Sequence, residues 1–187
     1  MKKLIKETFI QMIPVMIGVY LGFALNNFGA QQKLEKQTEV FQQMLHNEIE
    51  QNLKEVSKKY TYHQKLQQDF QQLLNSQELE KDFGEYNFTG FLTGKMNASA
   101  YNTGIQTGII QEFDLQLVQH LNRLYTLQEA YTNFNRSVIN NYMGKAFPET
   151  EKDIRALIIS VGRSMNDILS FERDLSAFYT KILQSIK

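Results

Sequence analysis

From Thr8 to Gln32 the chain carries no charged residue, and Thr8 to Leu25 is an almost continuous apolar run. A hydrocarbon core of about 30 Å is crossed by roughly 20 apolar residues of α-helix rising about 1.5 Å each. Thr8 to Leu25 supplies 18 residues, and Asn26, Asn27 and Phe28 complete a membrane span over 8–28. Gln11 is its one clearly polar side chain, near enough to the basic end to reach headgroups. Two other readings weigh less. A buried helix of a soluble core would show an amphipathic switch at its flanks, and none occurs. A cleaved signal peptide suits the basic start, but Pro14 interrupts the run, which is long for an h-region. The best small-x-small site, Gly22-Phe23-Ala24, also falls inside the apolar segment. The expectation is an uncleaved signal anchor.

Charge sets the orientation. Lys2, Lys3 and Lys6 precede the span against Glu7 alone, whereas Lys33 and Lys36 beyond it are matched by Glu35 and Glu39. The positive-inside bias places 1–7 in the cytoplasm and 29–187 in the periplasm of a Gram-negative cell, anchored in the inner membrane. Pro14, Gly18, Gly22 and Asn26 recur every four positions. The glycines let a second helix approach closely in lipid, and Asn26 can hydrogen-bond it at the outer edge. Glycine is also simply common in membrane helices, so the face is a candidate and not a motif.

The chain holds 20 Lys plus Arg and 20 Asp plus Glu, and setting aside Lys2, Lys3, Lys6 and Glu7 leaves 17 against 19. That balance opposes a nucleic-acid surface. The absence of cysteine excludes a disulfide framework and thiolate metal sites. The residues beyond the span are enough for one all-α domain with a real core. A long amphipathic helix is expected over 31–74, with a stripe at Leu34, Phe41, Leu45, Ile49, Leu53, Val56, Tyr60, Leu66, Phe70 and Leu73 or Leu74. With no clean heptad of leucines, a bundle helix is favoured over a free-standing coiled coil. A loop with a short extended piece or one helical turn follows over 75–97. Helices are expected over 98–107, 114–142 and 151–185. Asn97 is the expected cap of the first, Gly108 its stop, and Thr150-Glu-Lys-Asp153 opens the last as a capping box. Such helices bury their stripes by packing as an antiparallel bundle.

Chemistry is sparse. His46, His63 and His120 are isolated, and His46 with Glu50 one turn on lacks the further ligands a zinc site needs. His63 beside the stripe reads as a partly buried helix residue. Gly90-Phe-Leu-Thr-Gly94-Lys95 is one residue short of a phosphate loop, and Met96 stands where a hydroxyl would hold magnesium. Carboxylate pairs such as Glu78/Glu80 and Glu149/Glu151 read as solvated or helix-start charges. Asn87, Asn97 and Asn135 head sequons that an asparagine-rich chain produces by chance. No catalytic group, metal or cofactor is expected, and the chain is not read as an enzyme. The aromatic residues Phe83, Tyr86, Phe88 and Phe91 are a candidate partner surface, with capping of the bundle end as the plainer reading.

Ile17-Gly-Val-Tyr-Leu-Gly-Phe-Ala-Leu-Asn-Asn-Phe28 resembles the start of an uncharacterised single-pass membrane protein family of Bacteroidota. In that family an Ile-Gly-Val/Ile-Leu-x-Ala-Leu-x-x-Asn-Asn-Trp type pattern ends the membrane helix. Here Phe28 replaces the tryptophan, and Gly29-Ala30-Gln31 replaces the acidic residues that follow. Ala100-Tyr101, Thr107-Gly108-Ile109-Ile110, Asp114, Leu117, Leu121 and Leu124-Tyr125 resemble its second pattern, in which a glycine turn joins two helices. The resemblance implies a signal anchor followed by a periplasmic helical domain, and implies no activity. The function expected is a scaffold or accessory subunit of an envelope complex. Its partners would be the lipid bilayer and a second copy or another membrane subunit. The alternative is a ligand-sensing bundle that signals through a membrane partner.

Overall fold

The computed structural model describes residues 2–93, 96–144 and 148–186, with side chains from residue 12 onward. The described residues are all-α, with no strand. The helices are α1 (Lys2–Leu74), α2 (Leu79–Glu85), α3 (Ser99–Thr107), α4 (Leu115–Met143) and α5 (Glu151–Ser185). A 3-10 turn, Ile109–Glu112, joins α3 to α4. The chain divides into two compact units, Met1–Gln43 and Met44–Lys187.

The first unit is the N-terminal part of α1. Every residue over 12–37 is exposed. Eleven large apolar or aromatic side chains from Met12 to Phe28 are among them, Tyr20 at 74% exposure. An 18-residue window here has a mean hydropathy of 1.4 and none of it is buried, so this helix is long and apolar enough to cross a membrane. Pro14 lies inside the helix, and Gly29, the expected weak point, is helical.

In the second unit a seven-residue repeat governs the packing. Along the seam of α1 the buried residues Leu45, Ile49, Asn52, Val56, Lys59, His63, Leu66, Phe70 and Leu73 alternate steps of four and three, with Glu48 buried beside them. Those of α5 repeat the rhythm from Ile154 through Ile158, Val161, Met165, Ile168, Glu172, Leu175 and Tyr179 to Ile182. In α4 it runs Leu121, Leu124, Gln128, Tyr131, Asn135 and Val138. A 3.5-residue period is that of knobs-into-holes packing with a left-handed supercoil. The hydrogen bonds His63 to Glu172 and Arg155 to the Leu74 carbonyl set α5 antiparallel to α1. Tyr131 to Glu172 and Tyr142 to Ser160 set it antiparallel to α4. Tyr125 to Glu48 and Asn52 to Gln128 set α4 parallel to α1.

This corrects the expected stripe of α1. Leu53 and Tyr60 are only half-buried and Leu34 is exposed, while Asn52, Lys59 and His63 take inward positions. The cap of α3 also differs. Its N-cap is Ala98, which makes no side-chain cap bond. Asn97 Oδ1 accepts from the Ser99 amide at 3.1 Å, and the next amides, Ala100 and Tyr101, donate to Glu48 of α1 at 2.7 and 3.3 Å. A carboxylate from another helix thus satisfies the orphan donors and the positive end of the helix dipole. Gly108 closes α3 in the left-handed region at φ 75°. Asp114 caps α4 by accepting from the Gln116 and Leu117 amides. Thr150 caps α5 by accepting from the Asp153 amide, and its hydroxyl donates to the Asp153 carboxylate at 2.7 Å.

Candidate functional site

Between α1 and α3 the chain returns across the bundle and is tied to α1 by two tyrosines, Tyr62 of α1 and its own Tyr86. Tyr62 donates to the Gly90 carbonyl at 2.5 Å, and Tyr86 donates to Asp69 at 3.0 Å. Gly90 takes φ 89°, a conformation that favours glycine. Held this way, Phe83, Tyr86, Phe88 and Phe91 come together around one cavity of about 370 Å³. Phe70 of α1 and Tyr142 of α4 add two more rings, and Leu157, Ile158 and Val161 of α5 form an aliphatic side. The rings meet at varied angles. Phe88 stands edge-on to Phe91 at 81°, whereas Phe91 and Tyr142 lie near parallel at 28° with centroids 5.8 Å apart. Burial, then the Asp69 carboxylate, pushes the Tyr86 phenol above its ordinary value, so it stays a neutral donor. The volume lies within the usual range of small-molecule sites.

Two polar layers interrupt the heptad core. In the first, Glu48 accepts from Tyr125 at 2.7 Å as well as from the α3 amides. Beside it Asn52 pairs with both backbone groups of Asn97, donating to its carbonyl at 2.7 Å and accepting from its amide at 2.9 Å. Gln128 Oε1 accepts from Tyr179 at 2.6 Å and from Asn52 at 3.3 Å. In the second layer Glu172 Oε1 lies 2.8 Å from His63 Nδ1 and accepts from Tyr131 at 2.6 Å. His63 and Glu172 are fully buried, and among the described residues His63 Nε2 and Glu172 Oε2 find no hydrogen-bond partner. Lys59 is 3% exposed, with its ammonium 5.9 Å from the Tyr131 ring centre. Burial lowers the Lys59 pKa against the opposing pull of Glu172 and Glu55. Burial first, and carboxylates second, raise the phenols of Tyr125, Tyr131 and Tyr179. The second layer lies inside the bundle, whereas Tyr125 and Gln128 of the first also line a surface concavity.

The other singled-out residues are dispersed. Pro14, Gly18, Gly22 and Asn26 are all exposed on α1, and a Cβ on Gly18 or Gly22 meets nothing within 4 Å. His46 is half-buried, and His120 Nε2 lies 3.5 Å from the Lys181 ammonium. Among the described residues no three His, Cys, Asp or Glu gather as a metal site. Gly94 and Lys95 of the phosphate-loop look-alike lie outside the described residues, as do the side chains of Lys2, Lys3 and Lys6. Of the sequon asparagines, Asn135 is buried. A second concavity of about 610 Å³ is polar, with Asn102, Asn122 and Arg136 beside the stacked rings of Tyr101 and Tyr125. Hydropathy reading missed the polar layers because Asn, Lys, His, Gln and Glu score as surface residues. For Asn52, Lys59, His63, Gln128 and Glu172 the signal is the seven-residue spacing they share with their apolar neighbours; Glu48 lies off that spacing.

No protein-family model, no curated protein and no solved structure matches this chain.

Proposed function

We propose that the chain is a single-pass, membrane-anchored helical scaffold or accessory subunit of an envelope complex that works by protein–protein binding. One observation carries the reading: an uncharged helix exposing eleven large apolar or aromatic side chains from Met12 to Phe28. Left in water, each forgoes about 1.5–3 kcal/mol of burial. A lipid bilayer is the environment that supplies that burial to a single isolated helix. Lys2, Lys3 and Lys6 support a cytoplasmic N-terminus and a periplasmic bundle at the inner membrane. The resemblance to the Bacteroidota family supports the same topology. The face of Gly18, Gly22 and Asn26 is then the contact with a second copy or another membrane subunit. In-cell crosslinking with mass spectrometry tests this on the wild-type chain and on Gly18→Leu with Gly22→Leu. Crosslinks from the span that vanish in the double variant support the reading. A chain that purifies alone and crosslinks to nothing overturns it.

The aromatic cavity favours a second reading, a ligand-sensing bundle that passes its signal through a membrane partner. On this reading ligand changes the crosslinks made to that partner; on the first it does not.

A further inference from the structure

The cavity's lining restricts what it can hold. Among the described residues no Asp, Glu, Lys, Arg or His lines it, so none of them offers a charged ligand a partner. The two phenols on its wall are already committed, Tyr86 to Asp69 and Tyr142 to Ser160 at 2.8 Å. Among the described lining residues Asn87 is the one amide, enough for a single polar substituent. The aliphatic side is Leu157, Ile158 and Val161 of α5, and the other lining residues are mostly rings that meet one another at varied angles. Phe70 meets Tyr86 at 62° and Phe88 at 41°, and Phe91 lies near parallel to Tyr142. Ring walls at mixed angles reward a flat aromatic guest, which gains offset-stacked and edge-to-face contacts together. An acyl chain gains dispersion alone.

We propose that this cavity is a binding site for an uncharged aromatic small molecule of one or two fused rings carrying at most one hydrogen-bonding substituent, of which indole is the simplest probe. The site names the ligand class of the sensing reading and rests on that reading for its purpose, but not for its existence. It is independent of the membrane span.

The test uses the full chain in lipid nanodiscs and a photoreactive diazirine-bearing indole, with adducts mapped by peptide mass spectrometry. Adducts are expected on peptides holding 83–91 and 157–161, reduced at least tenfold by excess indole and much less by excess decanol. Leu157→Trp, which fills the cavity from α5, is expected to abolish them while lipid-phase labelling of 12–28 persists. If that variant fails to fold, the competition on the wild-type chain still decides. Labelling confined to 12–28, labelling that indole does not compete, or decanol competing as well as indole each overturns the proposal. Site-specific, indole-competed labelling that leaves partner crosslinks unchanged retains the site and overturns the sensing reading instead.

Discussion

Glu48 and Lys59 are the residues whose burial asks most of the bundle. Glu48 is 3% exposed and answers two α3 amides, the Ser99 hydroxyl and the Tyr125 hydroxyl. Removing it strands the two amides and the Tyr125 hydroxyl at once, while the Ser99 hydroxyl keeps Asn97 Oδ1 at 2.9 Å. Glu48→Ala is therefore expected to lower unfolding stability by about 3 kcal/mol, as for the loss of one partner in a buried charged network. Glu48→Gln, which keeps one carbonyl acceptor, is expected to lose about half of that. Denaturant melts of the full chain in detergent measure both, and a loss under about 1 kcal/mol for the alanine variant contradicts the interhelix cap. Lys59 makes a prediction about pH. Its folded pKa lies below the ordinary 10.5. Between that lowered value and 10.5 the unfolded chain binds more protons than the folded one, so stability rises with pH. The buried phenols act oppositely: raised in the folded state, they contribute stability that is lost only above their ordinary 10.0. Below pH 10 the Lys59 effect is thus read cleanly. Wild type should gain stability relative to Lys59→Met as pH climbs toward 10, and a flat difference would sink the assignment.

At the scale of elements, the long helices were legible because their end signals are local. Asp114, Thr150 and Gly108 act on amides and carbonyls within a few residues of themselves. Asp114→Ala is expected to lose about 1 kcal/mol, read from the same melts. The α3 cap was not legible, because Glu48 reaches it from 52 residues away. Nor was α2, whose N-cap Glu78 makes no side-chain cap bond and which buries only Leu79. The aromatic cluster was visible as composition, but its cavity was not, since Phe70, Tyr142 and the α5 face come from distant segments. The core seam hid for a different reason. Asn52, Lys59, His63, Gln128, Asn135 and Glu172 hold heptad positions, and an apolar-only reading slips to Leu53 and Tyr60 instead. Polar residues at such positions fix register and neighbour choice in coiled coils at some expense of stability. Glu172→Leu alone leaves the buried His63 without its carboxylate, takes the acceptor from the Tyr131 hydroxyl, and should lose about 3–5 kcal/mol. Lys59→Met, His63→Leu and Glu172→Leu together should be neutral or stabilising, as when a whole buried ionic group is replaced by apolar residues. If the triple variant is as unstable as the single, the layer contributes net stability and the register argument fails.

For the whole molecule, the two units differ in what they bury. The second buries its apolar positions against itself, with Leu45, Leu121, Leu124 and Leu175 fully buried. The first leaves Ile13, Val15, Ile17, Val19, Leu21, Phe23 and Leu25 more than half exposed. Large exposed apolar surfaces mark contact with a membrane or a partner. The chemistry of this one makes a quantitative prediction. An arginine at the centre of a membrane helix is disfavoured by about 2.5–3.5 kcal/mol on insertion scales, so Val19→Arg with Leu21→Arg opposes insertion by roughly 5–7 kcal/mol. Val19 and Leu21 are 55% and 53% exposed, so neither substitution disturbs packing within the second unit. In membrane fractionation followed by an alkaline carbonate wash, the wild-type chain should stay in the pellet and the double arginine variant should leave it. The helical signal and melting of Met44–Lys187 should be unchanged. A variant that stays in the pellet would move the anchoring force out of 12–28 and into the bundle. The uncharged helix would then be a docking surface for protein rather than for lipid.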